Sequence, residues 1–103
     1  MAEKTIMLCC AAGMSTTLLV SKMQKAAEAE GIDAEIFATS AANADSKLDE
    51  KNPDVLLLGP QVRYLEGQFK DKLDIPVEVI GMQDYRMMNG EKVFKRAMSM
   101  MKK

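Results

Sequence analysis

The sequence contains no histidine. That absence removes imidazole general-base catalysis, histidine zinc ligation and any phosphohistidine carried on this chain. A net charge of one sign is also missing: 14 basic and 15 acidic residues nearly cancel and are mixed along the chain. Without a basic field there is nothing to draw in nucleic acid or an acidic membrane surface. Long hydrophobic runs are absent too. The longest, Ile6 to Met14, is about half of what a membrane-spanning helix requires, so no direct membrane insertion is expected. It ends in Gly-Met-Ser-Thr-Thr instead of a small-residue cleavage pattern, which argues against a secretory signal and for a cytoplasmic protein. Cysteine is scarce, two residues side by side at positions 9 and 10. A bond between neighbours would be strained, and in a reducing compartment both are thiols. Their interest lies in reactivity or burial.

What is present is enough for one domain over residues 1–103: 48% of the chain is hydrophobic, so a self-sufficient core needs no disulfide or metal staple. Thr5 to Cys10 reads as a wholly apolar strand, of the kind buried on both faces at the centre of a parallel sheet. A helix follows from Thr16 to Glu30, capped by Ser15 or Thr16, with Leu19, Met23, Ala26 and Ala27 at helical spacing and Gly31 as its stop. Ile32, Ala34, Ile36 and Ala38 alternate with Asp33, Glu35, Phe37 and Thr39, the pattern of an edge strand with one face partly wet.

Ser40 to Asn52 holds a short helix and a loop. Val55 to Leu58 is a buried strand between Pro53-Asp54 and Gly59-Pro60, and Val62, Leu65, Phe69 and Leu73 form the stripe of the next helix. Pro76 to Ile80 supplies a fourth strand, and Gly81 to Gly90 a connection with one helical turn. Val93, Phe94, Ala97 and Met101 line the inner face of a last helix that ends in Lys102 and Lys103, which complement its dipole. Strands alternating with helices predict an α/β fold: a single three-layer domain whose four-stranded parallel sheet, in the order 2-1-3-4, is flanked by helices. In such sheets ligands bind at the carboxyl ends of the strands, beside the point where the chain reverses direction between strands 1 and 3. Residues Cys9 to Thr16 fall there.

A thiol at the end of a central strand, just before a helix, is a specific arrangement. The unpaired N–H groups and positive dipole end of a helix N-terminus stabilise a thiolate and a bound phosphate alike. Cys10 is therefore the candidate nucleophile, and Ala11, Ala12, Gly13, Met14, Ser15 and Thr16 the candidate phosphate-binding loop. Gly13 permits a tight turn, the alanines leave room, and the hydroxyls offer hydrogen bonds. A cysteine is often only a small buried hydrophobe, which is the reading for Cys9, because it faces the opposite side of the strand. Gln61, Asp84 and Tyr85 follow strands 3 and 4 toward the same crevice and are accessory candidates. Met14, Met82, Met87 and Met88 fall in crevice-side loops, where flexible apolar side chains suit a docking surface, while Met23, Met98 and Met101 read as core. Arg63 and Arg86 lie on the rim, where solvation is the simplest role.

Cys10-x-x-Gly13 with following hydroxyls resembles the phosphate loop of cysteine-dependent tyrosine phosphatases, Cys-x-x-Gly-x-x-Arg-Ser/Thr. Thr16 stands at the arginine position. Without the guanidinium that neutralises the transferring phosphoryl group, a low-molecular-weight-type phosphatase becomes the alternative, with Asp84 as its general acid. A further alternative is a non-catalytic regulatory domain of this fold. Met7 to Met23 is more closely similar to the active loop and first helix of the IIB component of the lactose/cellobiose family of the bacterial phosphoenolpyruvate-dependent sugar phosphotransferase system. Asp54 to Val62 and Pro76 to Ile80 also resemble that family, and the likeness runs over essentially the whole chain. It implies a phosphatase-like topology and a phosphocarrier in which Cys10 takes the phosphoryl group from a phosphohistidine of a IIA protein. The group then goes to a sugar held by the membrane component IIC. The resemblance favours cellobiose or a related β-glucoside and calls for no metal or cofactor. Cys9 stands where members of that family usually carry a bulky apolar residue.

Overall fold

The computed structural model describes residues 4–10 and 13–101, with the side chains of residues 13–16 and of 101 left aside. In chain order the elements are β1 (Lys4–Cys10), α1 (Gly13–Ala29), β2 (Ala34–Ser40), α2 (Ala44–Lys51), β3 (Val55–Leu58), α3 (Glu66–Lys72), β4 (Val77–Val79), α4 (Met82–Arg86) and α5 (Gly90–Met101). Short 3-10 segments, Ala41–Asn43 and Pro60–Leu65, precede α2 and α3. All four strands run parallel in the order β2-β1-β3-β4, as the alternating pattern predicts.

The sheet divides the apolar side chains into two layers. Ile6 and Leu8 of β1 point toward α1 and α5, where they meet Leu19, Met23 and Phe94. Met7 and Cys9, one residue out of phase, point the other way and join Leu48, Leu56, Leu58 and Phe69 beneath α2 and α3. Each layer removes large side chains from water, a gain on the order of 1.5–3 kcal/mol for each one fully buried. At the amino ends of the strands Asp54 ties β3 to β1 in both directions. Its carboxylate accepts from the Thr5 N–H at 2.8 Å and its own N–H donates to the Thr5 carbonyl at 2.8 Å.

Several boundaries differ from the sequence expectation. α1 begins at Gly13, not Thr16, so Ser15 and Thr16 lie within its first turn and are not its cap. With β1 ending at Cys10, only residues 11–12 connect strand to helix, a length within the range of tight βα connections. β2 starts at Ala34 because Ile32 is spent on ending α1. Gly31 adopts the left-handed conformation at φ 70°, its N–H donates to Glu28, and the Ile32 N–H donates back to the Ala27 carbonyl at 2.9 Å. This is the paired closure of a glycine C-cap. The helix expected from Val62 is divided: a kink at Val62 (φ −119°, ψ 25°) falls inside the 3-10 segment Pro60–Leu65, and α3 begins only at Glu66. Val62 is buried by that kink, whereas Leu65 and Leu73 are only half-buried.

Two packing features have no sequence signature. Gly90 opens α5 against α1, and a Cβ there would lie 2.5 Å from the Lys22 Cβ and 2.6 Å from its carbonyl carbon. Only hydrogen allows the two helices to approach so closely. Asn89 caps α5, its side-chain oxygen accepting from the Lys92 N–H at 3.2 Å. Among the described residues no helix is long and apolar enough to cross a membrane.

Candidate active site

β1 delivers Cys10 to the carboxyl end of the sheet, between β2 on one side and β3 on the other. Its register partner on β2 is Ser40, and Cys9, one residue earlier, pairs with Leu58, the last residue of β3. α1 begins at Gly13. The first N–H groups of any α-helix lack intrahelical acceptors, so the backbone donors of Gly13, Met14 and Ser15 stand directly after the thiol-bearing strand. Ala11 and Ala12, the first two residues of the expected loop, lie outside the described residues, and Met14, Ser15 and Thr16 are placed by their backbone alone.

Neither cysteine is in a disulfide and both have almost no exposure, yet their surroundings differ. Cys9 is embedded among Met7, Leu56, Leu58 and Val62. Burial, and to a lesser degree the neighbouring Cys10, push its thiol up to about 11 from an ordinary 9.0. It holds its proton at neutral pH and is a poor nucleophile. Cys10, 1% exposed, borders Gly59 instead. Gly59 is anchored by its N–H to the Cys9 carbonyl at 2.8 Å, and its carbonyl accepts from the Val62 N–H at 3.0 Å, which starts the 3-10 segment. A Cβ on Gly59 would sit 3.4 Å from the Cys10 Cβ and 3.0 Å from Oε1 of Gln61. Gln61 and Cys10 therefore flank the same small space.

Of the accessory candidates, Gln61 and Tyr85 are brought together and Asp84 is not with them. Nε2 of Gln61 donates to the hydroxyl of Tyr85 at 3.4 Å, and Tyr85 is buried from α4. Asp84 lies 3.8 Å from the Lys92 ammonium and lines a separate cavity of about 520 Å³ with Glu78, Val79 and Arg96. A bidentate Arg96–Glu78 pair, at 2.6 and 2.7 Å, closes one side of that cavity and joins α5 to β4.

Residues 5–96 match the family described as PTS system, Lactose/Cellobiose specific IIB subunit. The chain belongs to that family. It is 55% identical over 107 residues to the "PTS system galactose-specific EIIB component" of Lactococcus lactis subsp. cremoris, covering 98% of this chain and 99% of that one. It is equally similar, with the same coverage, to the "PTS system cellobiose-specific EIIB component" of Lactococcus lactis subsp. lactis. The solution structure of the cellobiose-specific IIB component from Borrelia burgdorferi superposes with a TM-score of 0.79 at 38% identity, covering 95% of this chain and 91% of that one. This IIB chain is thus a component of a sugar phosphotransferase system, built on the fold that its strand order displays.

Of the methionines expected on the crevice side, Met82 and Met87 are 54% and 70% exposed, Met87 lining a groove with Lys22, Lys25 and Ala29 of α1, while Met88 turns inward at φ 53° and packs on the core. Tyr64 and Leu18 are exposed as well, at 74% and 51%. Arg63 and Arg86 are exposed, Met23 is buried and Met98 half-buried.

Proposed function

We propose that Cys10 is the phosphoryl-carrying residue of this IIB chain. The Cys10 sulfur attacks the phosphorus of a phosphohistidine on a IIA protein, so that the P–N bond breaks as the S–P bond forms, and the proton given up by the thiol is matched by one taken up at the leaving histidine nitrogen. In the second step a sugar hydroxyl attacks the same phosphorus. The S–P bond breaks, the thiolate leaves, and the hydroxyl proton is released. The sugar, cellobiose or a related β-glucoside, is held by the membrane component IIC, and the IIB chain works as a single cytoplasmic domain over residues 1–103.

The observation that carries this reading is the position of Cys10: last residue of a central parallel strand, separated by two residues from a helix, beside Gly59. Backbone N–H groups from the start of α1, with residues Ala11 to Thr16 as the loop, balance the phosphoryl charge through oriented dipoles, so no metal is needed. Galactose- and cellobiose-named relatives are equally identical to this chain, which fits sugar choice residing in the membrane component. A phosphatase reading draws no support from Asp84, which is paired with Lys92.

The test is a chase. The protein is phosphorylated with phosphoenolpyruvate and the upstream phosphotransfer proteins, then given membranes containing the cognate IIC and cellobiose. The wild type gains one phosphoryl group and loses it as sugar phosphate appears. Cys10→Ser takes up none, and Cys9→Ser behaves as wild type. Steady hydrolysis of an aryl phosphate by the unmodified protein would instead favour a phosphatase.

A further inference from the structure

Resting on the reading of Cys10 as phosphoryl carrier, we propose that the side-chain amide of Gln61 contacts the group on Cys10. On phosphorylation it reverses its orientation, with Tyr85 as its positioning residue in both states. The geometry is a short line of neighbours. Tyr85 is buried at α4, its hydroxyl accepts from Gln61 Nε2 at 3.4 Å, and Gln61 Oε1 points to the space beside Gly59 that Cys10 borders from the other side. With its nitrogen given to Tyr85, Gln61 presents an acceptor into the space that Cys10 borders. An acceptor suits an S–H group and is repelled by phosphoryl oxygens, which require donors.

A terminal amide resolves that conflict by turning over. Its last torsion is two-fold and soft, and a tyrosine hydroxyl both accepts and donates. After reversal, Nε2 faces the phosphoryl group and the Tyr85 hydroxyl donates to Oε1, so each partner keeps a hydrogen bond. Glutamine is matched to this task because both functions sit on one uncharged end. Glutamate of the same shape has only acceptors and adds a negative charge. Gly59 leaves the required space. Its backbone angles (φ −65°, ψ 153°) are open to any residue, so the missing side chain, and not an unusual conformation, is what the site uses.

The experiment follows the distribution of phosphoryl between IIA and the full IIB chain at equilibrium, together with the Gln61 side-chain amide resonances of the nitrogen-15-labelled protein. In the wild type the Gln61 NH₂ signals shift on phosphorylation. Gln61→Glu moves the distribution toward IIA by roughly tenfold or more, the scale of one lost hydrogen bond to a charged group. Tyr85→Phe moves it in the same direction by less, and the double variant goes no further than Gln61→Glu alone, a coupling that a purely structural role for Tyr85 would not produce. Gly59→Ala, whose methyl displaces only the flexible end of Gln61, reports on the same contact if Tyr85→Phe does not fold. Unshifted Gln61 signals in a fully phosphorylated wild type, or a wild-type distribution in Gln61→Glu, overturn the inference and leave the carrier role of Cys10 intact. Failure of the wild type to take phosphoryl on Cys10 refutes the underlying reading, and the inference with it.

Discussion

Two environments one residue apart separate the structural from the chemical part of this molecule. Cys9 faces the layer beneath α2 and α3, where a thiol is a small apolar filler whose proton is held by burial. Cys10 faces the mouth at the carboxyl ends of the strands, bordered by Gly59 and followed by a helix N-terminus. Exposure does not distinguish them, since both are covered. The difference lies in what each could meet: hydrocarbon on one side, backbone donors and an amide on the other. A reactive residue is thus defined by the period-2 alternation of a strand as much as by its own chemistry.

The comparison is broken most severely by placing a charge in the packed layer. Cys9→Asp is expected to cost roughly 3–5 kcal/mol, because it leaves an unpaired carboxylate in hydrocarbon. Cys10→Ser should change stability by less than about 1 kcal/mol; parallel denaturant titrations read the contrast directly. A similar loss for both would mean the two surroundings are equivalent.

The raised Cys9 thiol gives a second contrast, of about 3 kcal/mol, through the linkage of proton binding to folding. Between about pH 9 and 11 the unfolded chain releases the Cys9 proton while the folded chain keeps it. Stability contributed by this group is therefore complete below pH 9 and is lost as pH rises through 11. Cys9→Ala, although less stable overall, should show a correspondingly flatter decline over that window. Superimposable slopes for the two proteins would contradict the burial argument.

A smaller effect sharpens the boundary between fold and site. Gly90→Ala forces α5 away from Lys22 and should cost about 1–3 kcal/mol by overpacking, since the added methyl meets α1 backbone. The defect lies on the helical layer opposite Cys9. Its midpoint in thermal unfolding should fall while phosphoryl uptake at a temperature well below that midpoint is unchanged.

Much of this was legible before the structure. The apolar run ending at Cys10, the alternation from Ile32 to Thr39 and the Gly31 stop are local signals, and local signals predicted the strand order and the burial of Cys9 in the layer away from α1. Gln61 and Tyr85 could be placed only near the same edge, because their hydrogen bond joins residues 24 apart and depends on how α4 seats against the 3-10 segment. Gly90 looked like a loop residue, since its necessity arises from a helix that lies far away in sequence. The start of α1 was misplaced because two hydroxyl residues that resemble caps are equally at home in a first turn. Asp84 followed a strand as a general acid would, yet its partner Lys92 comes from the next helix and holds it at another cavity.

The most direct test of the central claim is the position of the phosphoryl group in the wild-type chain. Tandem mass spectrometry of the protein phosphorylated by its upstream relay, digested under conditions that preserve the S–P bond, distinguishes neighbouring residues by their fragment masses. The account predicts one phosphoryl group, on Cys10 alone. A phosphoryl group on Cys9, shared between the two thiols, or on any hydroxyl of the following helix would contradict it.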